Sequence, residues 1–194
     1  MIDSLYPIFK HWSQGGSVYI ISDTHLFDSD RKFMGYDITE EQQIDILKKR
    51  CHKTDTLIHL GDVGDPKLFA QIKAHKVLIM GNHDETATKF ENYFDEIYTG
   101  PVWIAEKLVL SHEPLNLYSG ITNKPIAVNI HGHDHGGEFA KDNYHVNLAQ
   151  NVYGYEPLSL KDFIKVGYLK LVKSIHREII DNATLKKKLK NKEM

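Results

Sequence analysis

Short apolar runs that stop at a polar or glycine-bearing stretch recur along the first half of the chain. Val18-Tyr19-Ile20-Ile21 leads into Ser22-Asp23-Thr24-His25, Thr56-Leu57-Ile58-His59-Leu60 into Gly61-Asp62, and Val77-Leu78-Ile79-Met80 into Gly81-Asn82-His83-Asp84. Runs of this length without alternation read as strands buried on both faces. Between them the period changes. Thr39 and Gln42 have capping-box spacing, and Ile44, Leu47 and Cys51 follow at helical intervals, which predicts a helix over about 40–52. Asp65-Pro66 reads as an N-cap followed by proline at the first helical position, opening a short helix to about Ala74. Successive strand–helix units imply right-handed crossovers and a largely parallel sheet.

The second half has a different rhythm. Val102-Trp103-Ile104, Leu108-Val109-Leu110, Ala127-Val128-Asn129-Ile130 and Tyr144-His145-Val146-Asn147-Leu148 are short strands joined by turns rich in Gly, Pro and Asn. They predict a second, more antiparallel sheet packed on the first. Ser159 and Asp162 have cap spacing ahead of a helical tail, in which Leu169, Val172, Ile175 and Ile179 share one face to about residue 180. At the other end, residues 1–16 form an extension whose Leu5, Tyr6, Ile8, Phe9 and Trp12 suit a short amphipathic helix or a packed arm, with Gly15-Gly16 as the break. The stretch from Phe27 to Asp37 is polar and loop-like, and Lys186 to Lys192 reads as a solvated, frayed terminus.

Composition narrows the class. A chain of 194 residues suits a single domain spanning residues 1–194, with the extension and the helical tail of 159–194 as appendages. A net charge of −2 gives no global pull toward nucleic acid or membrane. The single cysteine, Cys51, excludes an intramolecular disulfide framework. With no basic leader and no apolar run of spanning length, a soluble cytoplasmic protein is expected. Twelve histidines are the compositional anomaly, and they cluster at strand ends.

Five strand ends offer Asp23 with His25, Asp62, Asn82 with His83, His112, and His133 with His135. Residues two apart beyond a strand can face the same side. Taken one at a time these are ordinary turn residues. Taken together, oxygen and imidazole donors without thiolate suit Mn, Fe, Zn or Ni, with manganese expected first. They are too many for one tetrahedral ion and suit two ions about 3.5–4 Å apart, which lower the pKa of a bridging water and clamp a phosphoryl group. His131 and His59 are candidates for supporting or core roles. Arg31 and Lys32 could reach substrate phosphates from the 27–37 loop, with an exposed charged pair as the alternative. Tyr118 and Tyr153 could sit at a substrate rim.

These blocks resemble the calcineurin-like metallophosphoesterases. Asp23-Thr24-His25, Gly61-Asp62, Gly81-Asn82-His83-Asp84, Ser111-His112 and Gly132-His133-Asp134-His135 match that family's signature in order. Asn147-Leu148 and residues 154–160 are similar to its short, single-domain bacterial and phage-type members. The resemblance implies an α/β fold, a four-layer αββα sandwich of two mixed sheets flanked by helices. It implies one metal ion held by Asp23, His25, Asp62 and His135, and a second by Asp62, Asn82, His112 and His133. It further implies attack on phosphorus by a metal-bridging hydroxide, with Asn82 and His83 touching the phosphoryl group and His83 assisting the leaving oxygen. Two carboxylates compete to orient His83. Asp84 is adjacent, and Asp65 matches a Gly-Asp-x-x-Asp pattern of the phosphoprotein phosphatases, yet Pro66-Lys67 follows it where that branch has Arg-Gly. That departure favours a helix-cap role for Asp65 and argues against a protein phosphatase. The expected substrate is a small phosphate ester, nucleotides included, with a phosphodiester preferred. The rival readings are a nuclease that uses the lysine-rich tail and a catalytically silent binding scaffold.

Overall fold

The computed structural model describes residues 3–4, 15–120 and 122–191. The strands are β1 (Asp3–Ser4), β2 (Val18–Ile21), β3 (Thr56–His59), β4 (His75–Ile79), β5 (Glu96–Tyr98), β6 (Val102–Ala105), β7 (Leu108–Leu110), β8 (Val128–His131), β9 (His145–Asn147) and β10 (Leu158–Ser159). The α-helices are α1 (Glu40–Arg50), α2 (Gln150–Tyr153), α3 (Leu160–Val166) and α4 (Ile175–Lys190). Apart from β1, the proposed extension of residues 1–16 lies almost wholly outside the described residues.

Two mixed five-stranded sheets face each other, ordered β10-β2-β3-β4-β5 and β1-β6-β7-β8-β9. In the first, β2 to β5 are parallel and β10 returns antiparallel on the edge. Every residue of β2 and β3 is buried, as their unbroken apolar runs require. One face of these strands, through Ile20, Ile58, Val77 and Ile79, packs against Ile104, Leu110, Ile130 and Val146 of the second sheet. The opposite face, through Ile21, Leu57 and Leu78, is covered by Ile44 and Leu47 of α1 and by Phe69, Ile72, Phe90 and Phe94. Helix α1 starts as predicted, with Thr39 and Gln42 forming a reciprocal capping box. The short helix after Asp65 is a 3₁₀ helix over Pro66–Gln71, capped by the Asp65 carboxylate on Lys67 N–H.

Three expectations change. The second sheet is more parallel than its turn-rich sequence suggests: only the β6–β7 hairpin is antiparallel, while β7–β8 and β8–β9 are parallel. The segment after Ser111 forms the long connection such a parallel pair needs, and it covers the sheet's outer face, where Leu115 N–H donates to the Asn129 side chain. The helical tail is not one helix, because Gly167 takes a left-handed conformation that ends α3. Val172 is buried in the core, whereas Ile179 on α4 is exposed. Helix α4 continues through Lys190, so the lysine-rich stretch is helical and not frayed over most of its length. Among the described residues no helix is long and apolar enough to cross a membrane.

The third correction concerns Arg31, which neither reaches outward nor sits in an exposed pair. It is 6% exposed. Its guanidinium donates to Thr24 O, to Gln43 Oε1 at 2.9 Å and to Ile38 O at 3.1 Å, and it pairs with Glu40 at 3.3 Å. It also stands 4.4 Å over the Tyr36 ring, whose hydroxyl donates to Asp23 O. A planar fork of donors can satisfy several carbonyls at once, so the polar loop wraps around Arg31 and braces the Asp23-Thr24 backbone. Removing that fork strands Glu40 and several buried acceptors. Arg31→Ala is therefore expected to lower stability by about 3 kcal/mol in urea denaturation, and Arg31→Lys to recover only part of the loss.

Candidate metal centre

Each site residue lies on a loop that begins where a strand ends. Asp23 and His25 follow β2, Asp62 follows β3, Asn82 and His83 follow β4, His112 follows β7, and His133 and His135 follow β8. The first sheet thus contributes the carboxylates, Asn82 and the His25 imidazole, and the second contributes three imidazoles. Loops at the carboxyl ends of parallel strands form the usual ligand crevice of α/β sheets.

The backbone is bent to achieve this. Asp23, His25, Asp62 and His133 have φ of +52°, +43°, +57° and +68°. Left-handed backbone at residues with a Cβ costs of order 1 kcal/mol or more each and concentrates at functional sites. Two motif glycines make room for the carboxylates. A Cβ on Gly81 would lie 2.2 Å from Asp62 Oδ1, and one on Gly132 would lie 2.0 Å from Asp23 Oδ2. No other residue fits there without displacing a carboxylate.

The donors converge in two groups, Asp23 with His25 and His135, and Asp62 with His112 and His133. In the first, Asp23 Oδ1 lies 4.0 Å from His25 Nε2 and 3.6 Å from His135 Nε2. In the second, Asn82 Oδ1 lies 2.8 Å from His112 Nε2 and 2.9 Å from His133 Nδ1. Asp62 Oδ2 stands between the groups, 3.6 Å from His25 Nε2 and 3.3 Å from His112 Nε2. Ligands about 2.1 Å from a shared ion stand roughly 3–3.5 Å apart, so these spacings suit a divalent cation in each group.

Three imidazoles are aimed by what holds their other nitrogen. Nδ1 of His25 faces Asp28 Oδ2 at 3.1 Å, that of His112 faces Leu60 O at 2.9 Å, and that of His135 faces Asn151 Oδ1 at 2.8 Å. Each partner accepts a proton on Nδ1, leaving the Nε2 lone pair directed into the site. His25 Nε2 is buried and has no hydrogen-bond partner among the described residues. An orphaned buried nitrogen is costly unless something binds it, and a cation there would satisfy it. Burial pushes the Asp23 carboxyl above its ordinary pKa despite nearby His112 and His135, a penalty that a neighbouring cation reverses. Burial also opposes ionisation of Asp62, but bonding and charge from His112, the His83 N–H and the charge of His25 outweigh it and hold Asp62 down to about 2. The donor set therefore fits the metal ions its residues imply.

The remaining candidates divide. His83 is exposed at the rim, its N–H donating to Asp62 Oδ1 at 2.9 Å and its ring 5.6 Å from that of His25. Asp84, a candidate to orient His83, has its carboxylate engaged by backbone N–H groups. Its carboxylate is buried and accepts the N–H groups of Gly81, Asp62 and Val63, so it ties two strand-end loops together. Asp65 is engaged by Lys67. His59 accepts from Gly61 N–H at Nδ1, so its Nε2–H meets Thr24 Oγ1 at 2.9 Å, and Thr24 in turn donates to Val63 O. His131 bonds the Gly132 carbonyl at 2.7 Å, and Tyr153 stacks on Phe139. Sequence reasoning missed Asp28, Asn151 and Tyr36. Asp28, three residues after His25, carried a faint local signal, whereas Asn151 reaches His135 only through the fold.

Strand-end loops of the two paired sheets thus gather carboxylates and imidazoles in two adjoining groups. Residues 17–149 match the calcineurin-like phosphoesterase superfamily domain, and the chain belongs to that family, whose members are generally metal-dependent phosphoesterases. None of the curated proteins matches the chain. Among solved structures it is similar to the protein of unknown function AQ665 from Aquifex aeolicus, at 24% identity and a TM-score of 0.61, covering 77% of this chain and 98% of that one. It also resembles the Pseudomonas putida nuclease MPE, at 23% identity and a TM-score of 0.42 over 60% of each chain.

Two measurements test this wiring. Asn151→Ala frees the His135 ring and is expected to weaken manganese binding about 10–100-fold by calorimetry. Complete burial holds the His59 pKa down to about 3, so the fold keeps it neutral. Its contribution is present in full above the unfolded value near 6.5 and is lost as pH falls toward 3, at roughly 1.4 kcal/mol per pH unit. Metal-free wild-type protein should lose stability more steeply across that window than His59→Gln.

Proposed function

We propose that the protein is a binuclear metal-dependent phosphodiesterase. The observation that carries this reading is the position of Asp62 Oδ2, within 3.6 Å of His25 Nε2 and 3.3 Å of His112 Nε2, as a carboxylate shared by two donor groups must be. Asp23, His25, Asp62 and His135 would hold one ion, and Asp62, Asn82, His112 and His133 the other. Two such ions, manganese first among the candidates for this donor set, supply Lewis acidity and an activated water for in-line displacement at phosphorus. The chain's own residues do the rest. Asn82 gives its carbonyl oxygen to the second group, which turns its amide N–H toward a phosphoryl oxygen. His83, at the rim with its ring 5.6 Å from that of His25, would assist the departing oxygen. The bent backbone at Asp23, His25, Asp62 and His133 sets these groups before substrate arrives, so little reorganisation accompanies reaction.

Diesters are favoured over monoesters because the Arg31 guanidinium is enclosed by the fold. The second negative charge of a monoester has no arginine from this loop to meet it.

Hydrolysis of bis(p-nitrophenyl) phosphate beside p-nitrophenyl phosphate, with manganese and after chelation, tests the reading. Two ions per chain and manganese-dependent diester turnover are expected; metal-free, inactive protein that manganese does not rescue would point to a silent scaffold. His83→Ala should keep its metal and lose turnover by about 10²–10⁴-fold, whereas Asp62→Asn should lose metal. Intact turnover in the first variant, or full metal content in the second, would refute the role assigned.

A further inference from the structure

His112 reaches the candidate centre on a segment that has just left β7, and side chains of β8 and β9 hold that segment in place. Asn129 of β8 is tied to both ends of it: Oδ1 accepts Leu115 N–H at 2.7 Å, and Nδ2 donates to Ser111 Oγ at 2.8 Å. The Leu115 carbonyl is held from the next strand, where His145, the first residue of β9, places Nε2 2.9 Å from Leu115 O. The segment that carries a candidate ligand therefore rests on an imidazole that belongs to neither donor group.

The other nitrogen of that ring also meets an acceptor. His145 Nδ1 lies 2.7 Å from Asp142 Oδ2. Oδ1 of the same carboxylate accepts Tyr144 N–H and His145 N–H, each at 2.9 Å, so the group is fixed in front of the ring. Burial opposes ionisation of Asp142, but these backbone bonds and the His145 ring outweigh it and hold its carboxyl below the ordinary range. A carbonyl and a carboxylate only accept. A neutral imidazole has one N–H and can satisfy one of them, whereas the imidazolium donates to both. In the neutral ring the single proton stays with the carboxylate, the stronger acceptor, and the Nε2 lone pair is left against Leu115 O. The other titratable groups around the ring do not replace that donor. His131 of β8 has its ring 6.0 Å away, and burial pushes its pKa down and keeps it neutral. Tyr118 stands across a recess of about 460 Å³ that it lines together with His145. The His145 side chain is 24% exposed, so protons reach it from solvent.

We propose that His145 is a positioning residue that clamps the His112 segment only while its ring is charged. Resting on the reading of His112 as a metal ligand, this makes ion capture by the second donor group respond to pH through a residue that does not touch the ion. The clamp is closed below the range in which imidazoles titrate and opens as pH rises through it.

Hydrogen exchange of the backbone N–H groups of residues 111–118, in metal-free protein and corrected for intrinsic rates, reads the clamp independently of any ion. Between about pH 5.5 and about pH 8, a span that brackets imidazole titration, the wild-type segment is expected to open about tenfold more often, the worth of one charge-assisted bond. His145→Gln keeps a donor that does not titrate and should show the same protection at both values. Nitrogen-15 resonances of the His145 ring should report protons on both nitrogens at the lower pH and on Nδ1 alone at the higher. Calorimetry with manganese follows the consequence. At the lower pH the wild type is expected to bind about tenfold more tightly than His145→Ala, with His145→Gln recovering part of the loss; at the higher pH wild type and His145→Ala converge. Equal protection of the wild-type segment at both values, or a single ring proton throughout, overturns the proposal. So does a wild-type advantage over His145→Ala that is the same at both values, because packing alone would produce it. If manganese binds to neither, the metal reading fails, and hydrogen exchange still decides the clamp.

Discussion

The constraint on which the structure depends is the placement of one buried carboxylate, Asp62, where two sets of donors meet. One of its oxygens accepts the His83 N–H, and the other faces imidazoles from both sheets. Reaching that position requires left-handed backbone at Asp62, a neighbour at 81 without a side chain, and Asp84 beneath it to collect the N–H groups the bend leaves unpaired. Several motif residues that bear no chemistry exist to hold this one group in place.

Orientation is layered outward from there. Asp28, Leu60 O and Asn151 select the tautomers of three histidines, Tyr36 braces the Asp23 carbonyl, and Arg31 braces Tyr36 and the Thr24 carbonyl. Rigid second contacts of this kind separate a gathering of polar residues from a site that can bind ions in a defined geometry.

The strands of the first sheet were legible because a strand buried on both faces has no polar alternation to confuse it, and β2 and β3 are of that kind. The residues that converge were legible for a related reason: each sits within five residues of an apolar run's end, so locating the strand located the donor. Other features depend on partners distant in sequence. Nothing in Phe27 to Asp37 announces that Arg31 will be enclosed by Gln43, Glu40 and Ile38, so a charged loop residue read as solvent-facing. Asp84 looked chemical because it adjoins His83, yet its environment is made by the β3 loop. The parallel pairing of β7, β8 and β9 was hidden because turn-rich connections suggest hairpins, whereas these connections cross the sheet.

The division of donors between the sheets has a mechanical consequence. The two sheets meet through aliphatic side chains, contacts that resist separation but specify sliding poorly. Asp62 from one sheet and His112 from the other are drawn toward a common point, as are Asp23 and His135. Ions bound there would act as rivets through the sandwich, fixing the register of one sheet over the other and adding their binding free energy to that of the folded state. The supply of divalent metal would then govern how long the molecule keeps its shape as well as how fast it works.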